Sequence, residues 1–215
     1  MAWRASLACM GLFEAIACFP EVFSFTIAHP KGRAIIGGCM GDVEFVFRDG
    51  PKGYVKVWKR VILDPQGFYR EMSSTGGFEN PLLFLGISAA LYFILKILVS
   101  GLVPAINAFF LLTLAYIFGP GILMLVCQFL FDGEGDYEGT LRISAYAGAT
   151  LVVAWIPALG IFAFLYSFYL IFLGTQKVHG LDQTKAAIAT LSAVLVTTAI
   201  LFFVLGERRF RRPIL

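Results

Sequence analysis

Charge is scarce in this sequence: Asp, Glu, Lys and Arg make up 14% of its 215 residues, against about 25% in a soluble domain. So few charged side chains cannot clothe a surface bathed in water on all sides, which excludes an ordinary soluble globule. Histidine is scarcer still. His29 and His179 lie far apart as co-ligands, and Cys9, Cys18, Cys39 and Cys127 form no C-x-x-C pair, so zinc chemistry is not expected. Cys127 sits in a long apolar run, where a thiol acts as a small packing residue. The chain has no H-E-x-x-H, no G-x-x-x-x-G-K-[ST] and no Ser/His/Asp set in a workable context. No catalytic residue and no cofactor is therefore expected, and the chain reads as a non-enzyme. A net charge of +3 is too small to point to nucleic acid.

Apolar residues, by contrast, reach 59%, with a mean hydropathy of +0.81, 22 Phe and 22 Gly. Charge-free stretches cover residues 80–95, 97–131, 143–176 and 186–206. A crossing needs roughly 20 apolar residues, so the two longest stretches must contain turns. Ser100-Gly101-Leu102-Val103-Pro104 divides the first long region and Trp155-Ile156-Pro157-Ala158-Leu159-Gly160 the second. The expected fold class is all-α, a polytopic transmembrane helical bundle of about five spans near 81–102, 105–130, 141–156, 158–174 and 186–206. Spans three and four are short, and a re-entrant hairpin is the rival for that pair. Gly119-Pro120-Gly121 should break or kink the second span.

Four regions follow: residues 1–51 of unclear structure, an amphipathic segment at 52–80, the membrane domain at 81–206 and a basic tail at 207–215. In the first region, Arg4 and the apolar run Ala5 to Phe13 mimic a signal peptide or lipoprotein site, and Val43 to Arg48 alternates like a short strand. In the second, Val57, Val61 and Phe68 are interspersed with Lys56, Lys59, Arg60 and Arg70, and the Asp64-Pro65 stop divides the stretch into two short amphipathic segments. Such segments lie on the membrane surface or pack over the ends of the spans. With the N-terminus cytoplasmic, the Lys and Arg of 52–80, Arg142, Lys177 and Lys185 face inward, against Arg208, Arg209, Arg211 and Arg212 outside. That balance favours a cytoplasmic N-terminus in a multi-pass protein, in the inner membrane if the cell is bacterial.

Lys96, within the first span, is the candidate intramembrane functional residue, as a proton carrier or counter-charge, unless it snorkels to the interface. Asp132, Glu134, Asp136 and Glu138 only superficially resemble a calcium loop: Tyr137 and Ile143 stand where Gly and Glu belong. Small residues at helical spacing, such as Gly86 with Ala90 and Ser144 with Gly148, predict close helix packing, self-association or a membrane-protein partner.

The order of several words resembles the Yip domain family (Ypt-interacting proteins), particularly its prokaryotic branch, over about residues 56–206. The words are Trp58-Lys59-Arg60-Val61 through Asp64-Pro65 and Phe68, Gly76-Gly77 before Asn80-Pro81, FDGEGDYEGTLRISAY at 131–146, Trp155-Ile156-Pro157, and Gly174 through Val178-His179-Gly180-Leu181 to Lys185-Ala186. The family-motif positions are thus Asp64, Pro65, Gly133, Gly135, Arg142, Tyr146, Pro157, Gly174, His179 and Gly180. Ala149-Thr150 departs from the family pattern, which often places a proline there. The resemblance implies a five-span protein with a cytoplasmic N-terminus and, by analogy with eukaryotic relatives only, association with GTPases in vesicle traffic. Together these features lead to a scaffold, assembly or membrane-organising factor in the lipid bilayer. The alternative is a small transporter or channel, drawn from Lys96, Gly119-Pro120-Gly121, Asn107 and Gln128.

Overall fold

The computed structural model describes the backbone of residues 44–210 and the side chains of residues 44–203. The signal-like stretch near the N-terminus and the last part of the tail, 211–215, lie outside the described residues.

Prolines and glycines set most helix limits. Helix α1, Gly50–Leu63, carries Pro51 in its first turn and stops at Asp64, the residue before Pro65. Asp64 then caps α2, Pro65–Glu71: its carboxylate accepts from the Gly67 N–H at 3.0 Å, and Pro65 occupies the first helical position, where its missing N–H costs nothing. Helix α3, Glu79–Ser100, ends on Gly101 at φ +81°, and α4, Leu102–Phe131, follows immediately. Pro104 falls in the first turn of α4, whose N–H groups need no partner in the helix, so α4 begins before the expected 105.

Asp136 caps α5, Tyr137–Ala147, by accepting from the Gly139 N–H at 2.9 Å. A 3-10 turn at Gly148–Thr150 leads into α6, Leu151–Ala154. Pro157 opens α7, Pro157–His179, which ends on left-handed Gly180, and α8 runs Gln183–Phe210.

The chain is a multi-pass membrane helical bundle. Four helices, α3, α4, α7 and the Gln183–Phe203 part of α8, are long and apolar enough to cross a bilayer. The remaining segment, α5 to α6, lies where the sequence predicts a short third span, begins earlier, at Tyr137, and is not among the four helices long and apolar enough to cross. Residues Gly139 to Leu151 are all buried. Protein rather than lipid surrounds this segment, which is why an interrupted, weakly apolar helix with a buried arginine is tolerated there. Short connections make consecutive long helices antiparallel. One end of the bundle, here the cap end, gathers residues 72–78, 132–136 and 180–182; the far end holds Gly101 and residues 155–156.

Two expectations are corrected. The alternating run at Val43 to Arg48 is not a strand among the described residues: Phe45 and Val46 are irregular, and Phe47–Asp49 is a 3-10 helix. No described segment offers a paired edge, and an isolated strand would leave its backbone groups unmatched. Instead Phe45 is buried against the rings of Tyr54 and Phe84. Of the break or kink expected at Gly119-Pro120-Gly121, the break is absent, because α4 continues through Pro120. The Ile117 carbonyl, in the turn before the proline, accepts from the Tyr137 hydroxyl at 3.1 Å.

Candidate functional site

The two amphipathic segments form as α1 and α2, and their apolar sides pack onto the bundle. Val57, Val61, Phe68 and Tyr69 are buried in one cluster with Phe84, Ile143, Tyr146 and Leu170. At about 1.5 to 3 kcal/mol for each large apolar side chain buried, this packing fastens α1 and α2 firmly. Hydrogen bonds then fix the register. The Trp58 indole donates to the Ala149 carbonyl at 2.9 Å, Tyr166 donates to the Ile62 carbonyl at 2.7 Å, and Tyr69 donates to the Ile143 carbonyl at 3.2 Å. Burial pushes the Tyr69 phenol well above its ordinary range, aided by neighbouring Tyr116, Tyr166 and Tyr146. It therefore stays a donor at any physiological pH. The outer side of the same segments exposes Lys52, Lys56, Lys59 and Arg70, with Arg60 paired to Glu71 at 2.7 Å.

At the cap end lie two polar knots. The first centres on Arg142, whose side chain is 4% exposed. Its Nε donates to the Ser73 carbonyl at 3.0 Å and one terminal nitrogen to the Gly77 carbonyl at 2.7 Å, while the other pairs with the Glu44 carboxylate. Glu138, 3.8 Å away, adds a second carboxylate and accepts from the Gly77 N–H at 2.6 Å. Glu44 also accepts from the Ser73 N–H at 2.7 Å and from the Tyr146 hydroxyl at 3.3 Å. A single guanidinium fork thus holds the chain before α1, the loop after α2 and α5 together.

His179 anchors the second knot. Its Nε2 lies 2.9 Å from the Thr140 hydroxyl, and that hydroxyl donates to the Asp136 carbonyl at 2.7 Å. Thr140 can therefore only accept from the ring, which assigns the proton to Nε2 and leaves Nδ1 as a buried lone pair with no partner among the described residues. Gly133 lies against the Cβ of His179 and Gly135 against its ring; a Cβ on Gly135 would stand 2.6 Å from Nδ1. Gln128 closes the loop by donating to the Gly135 carbonyl at 2.9 Å.

Of the family-motif positions, Arg142 and Tyr146 meet in the first knot, and Gly133, Gly135, His179 and Gly180 in or beside the second. Gly174 lies against Ile143, where a side chain would collide. Asp64 and Pro65 form the corner between α1 and α2, apart from both knots, and Pro157 starts α7 at the far end. Lys96 stands alone: it is half-buried, one turn from the C-terminus of α3, and has no ion pair among the described residues. Sequence reasoning missed Glu44 and Thr140. Nothing in the local pattern around Glu44 marks it, whereas Thr140 follows its capping residue Asp136 by four. Among the described residues no three His, Cys, Asp or Glu side chains gather as a metal site.

A Yip1 domain model matches residues 59–206. The matched span takes in both knots except Glu44, the Ser73 partner before α1. No curated protein and no solved structure matches the chain.

Proposed function

Because this chain belongs to the Yip1 domain family, we propose that it is a non-enzymatic scaffold, assembly or membrane-organising factor whose working surface is the basic outer side of α1 and α2. The observation that carries this reading is the division of labour within those helices. Their apolar side is consumed by the bundle, while Lys52, Lys56, Lys59 and Arg70 stand exposed. Apart from His179 Nδ1, the knots use their polar groups on each other, so their role is to hold the surface in place. The proposal puts the N-terminus and the cap end on the cytoplasmic side, where anionic lipids and acidic partners meet lysines. Association with a GTPase rests on analogy with eukaryotic relatives, and a membrane-protein partner or a second copy are the other candidates.

The test is isolation of tagged protein from native membranes after mild crosslinking. A stoichiometric protein partner that is lost when Lys52, Lys56 and Lys59 become Gln supports the scaffold reading. Self-association alone, unchanged by those substitutions, sinks it and returns attention to Lys96 and transport.

A further inference from the structure

Helix α1 does not run along the bundle; its contacts cross it. Tyr54 bonds Ser88 of α3 at 2.8 Å, Trp58 bonds Ala149 before α6, and Ile62 bonds Tyr166 of α7. Counted from the cap end of each helix, these anchors lie about 14, 18 and 20 Å down, at 1.5 Å per residue. The helix ends share one level, because Gly77 bonds Glu138 and Thr140 bonds His179. Helix α1 is therefore an oblique belt: it leaves the cap end near Phe47, whose N–H bonds the Asn80 side chain, and descends part-way down the bundle, with α2 climbing back from it through Tyr69 to the Arg142 knot.

The belt's outer side carries the exposed Lys52, Lys56 and Lys59 beside the exposed Val55 and Leu63. On the other flanks, large apolar side chains are exposed almost to the cap end: Phe129 at 80% and Leu130 at 64% on α4, with Ile188 at 51% on α8. Beyond the belt, α7 offers only Pro157 to Tyr166, about 14 Å of helix, against about 30 Å of hydrocarbon in an ordinary bilayer. A bilayer placed to cover Phe129 would bury Lys56 and Lys59 in acyl chains, while one placed to spare these lysines would strand Phe129 and Leu130 in water. Neither uniform placement satisfies the surface.

We infer that the belt is a basic shelf inside the bilayer's thickness, which draws anionic lipid headgroups and water down one flank and thins the leaflet there while the opposite flank stays at full depth. This deepens the membrane-organising reading proposed above by naming its ligand, the headgroup layer, and its effect, a lopsided hydrophobic boundary. Partner capture can fail and leave this inference standing, since the measurement below uses only protein and lipid.

Two proteins with one accessible cysteine each, Lys56→Cys and Phe129→Cys, are made with Cys9, Cys18 and Cys39 replaced by Ser and buried Cys127 kept. Each is spin-labelled in phosphatidylcholine–phosphatidylglycerol vesicles, and its collision with dissolved oxygen is compared with its collision with a water-soluble nickel chelate. Both sites are exposed, so the substitutions leave the packing intact. The shelf predicts severalfold more nickel contact at residue 56 than at residue 129, although residue 129 is nearer the cap end. Equal aqueous contact at both sites would put the bilayer surface at the belt all round, and equal lipid contact would put the belt in hydrocarbon. Either result, or the reverse order, overturns the inference.

Discussion

Arg142 and Glu44 form an ion pair across 98 residues of sequence, and this pair ties the segment before α1 to the most deeply buried helix of the bundle. Both side chains are largely shielded, at 4% and 12% exposure. Such a pair contributes little net stability when intact, but removing one partner leaves a buried charge unmatched.

Arg142→Gln is accordingly expected to cost about 3 to 5 kcal/mol, seen as a large fall in thermal stability of the detergent-purified protein. Glu44→Gln should cost less, because Gln still accepts from the Ser73 N–H. The double variant should recover part of the loss. Strict additivity of the two effects would show that the residues do not interact.

Glycines separate close packing from open surface. Gly174→Ala drives a methyl into Ile143, and overpacking of this kind costs about 1 to 3 kcal/mol. Gly86 meets nothing within 4 Å, so Gly86→Ala should leave stability unchanged or raise it by up to about 1 kcal/mol through helix propensity. Equal melting temperatures for the two variants would contradict the packing described for α7 on α5.

Thr140→Val removes the acceptor of the His179 Nε2 proton while keeping the shape. A buried donor left unmatched costs about 1 to 3 kcal/mol, so the melting temperature should fall, whereas Thr140→Ser should restore it. Nitrogen NMR of the imidazole should find the proton on Nε2 in the unaltered protein; a proton on Nδ1 would refute the tautomer.

Lys96→Met should change neither stability, within about 0.5 kcal/mol, nor partner capture. Helix α3 ends one turn beyond it, so the ammonium reaches the interface on its own stem. Loss of a measured ion or solute flux in this variant alone would revive the transporter reading.

Most of the bundle was legible because its signals are local. Charge-free runs bounded by Gly101, Pro157 and Gly180 gave the long helices, and Asp64-Pro65 gave the corner between α1 and α2. The motif glycines were legible as positions but not as reasons, since their neighbours His179 and Ile143 come from distant segments. Glu44 was hidden for the same reason: the pattern around it resembled a strand, and only the fold brings it to Arg142. Pro120 removes one N–H from α4, and the helix nevertheless continues through it.

The interrupted segment Tyr137–Ala154 decides whether the chain crosses the bilayer an odd or an even number of times. The direct measurement is the sidedness of two points in sealed vesicles of one orientation: Thr75→Cys at the cap end, probed with a membrane-impermeant maleimide, and an epitope placed after Leu215. Five crossings predict that the two points are reached from opposite sides of the membrane. Access to both from the same side would mean that Tyr137–Ala154 does not cross, and would contradict the five-span bundle on which the basic shelf and the cytoplasmic cap end both depend.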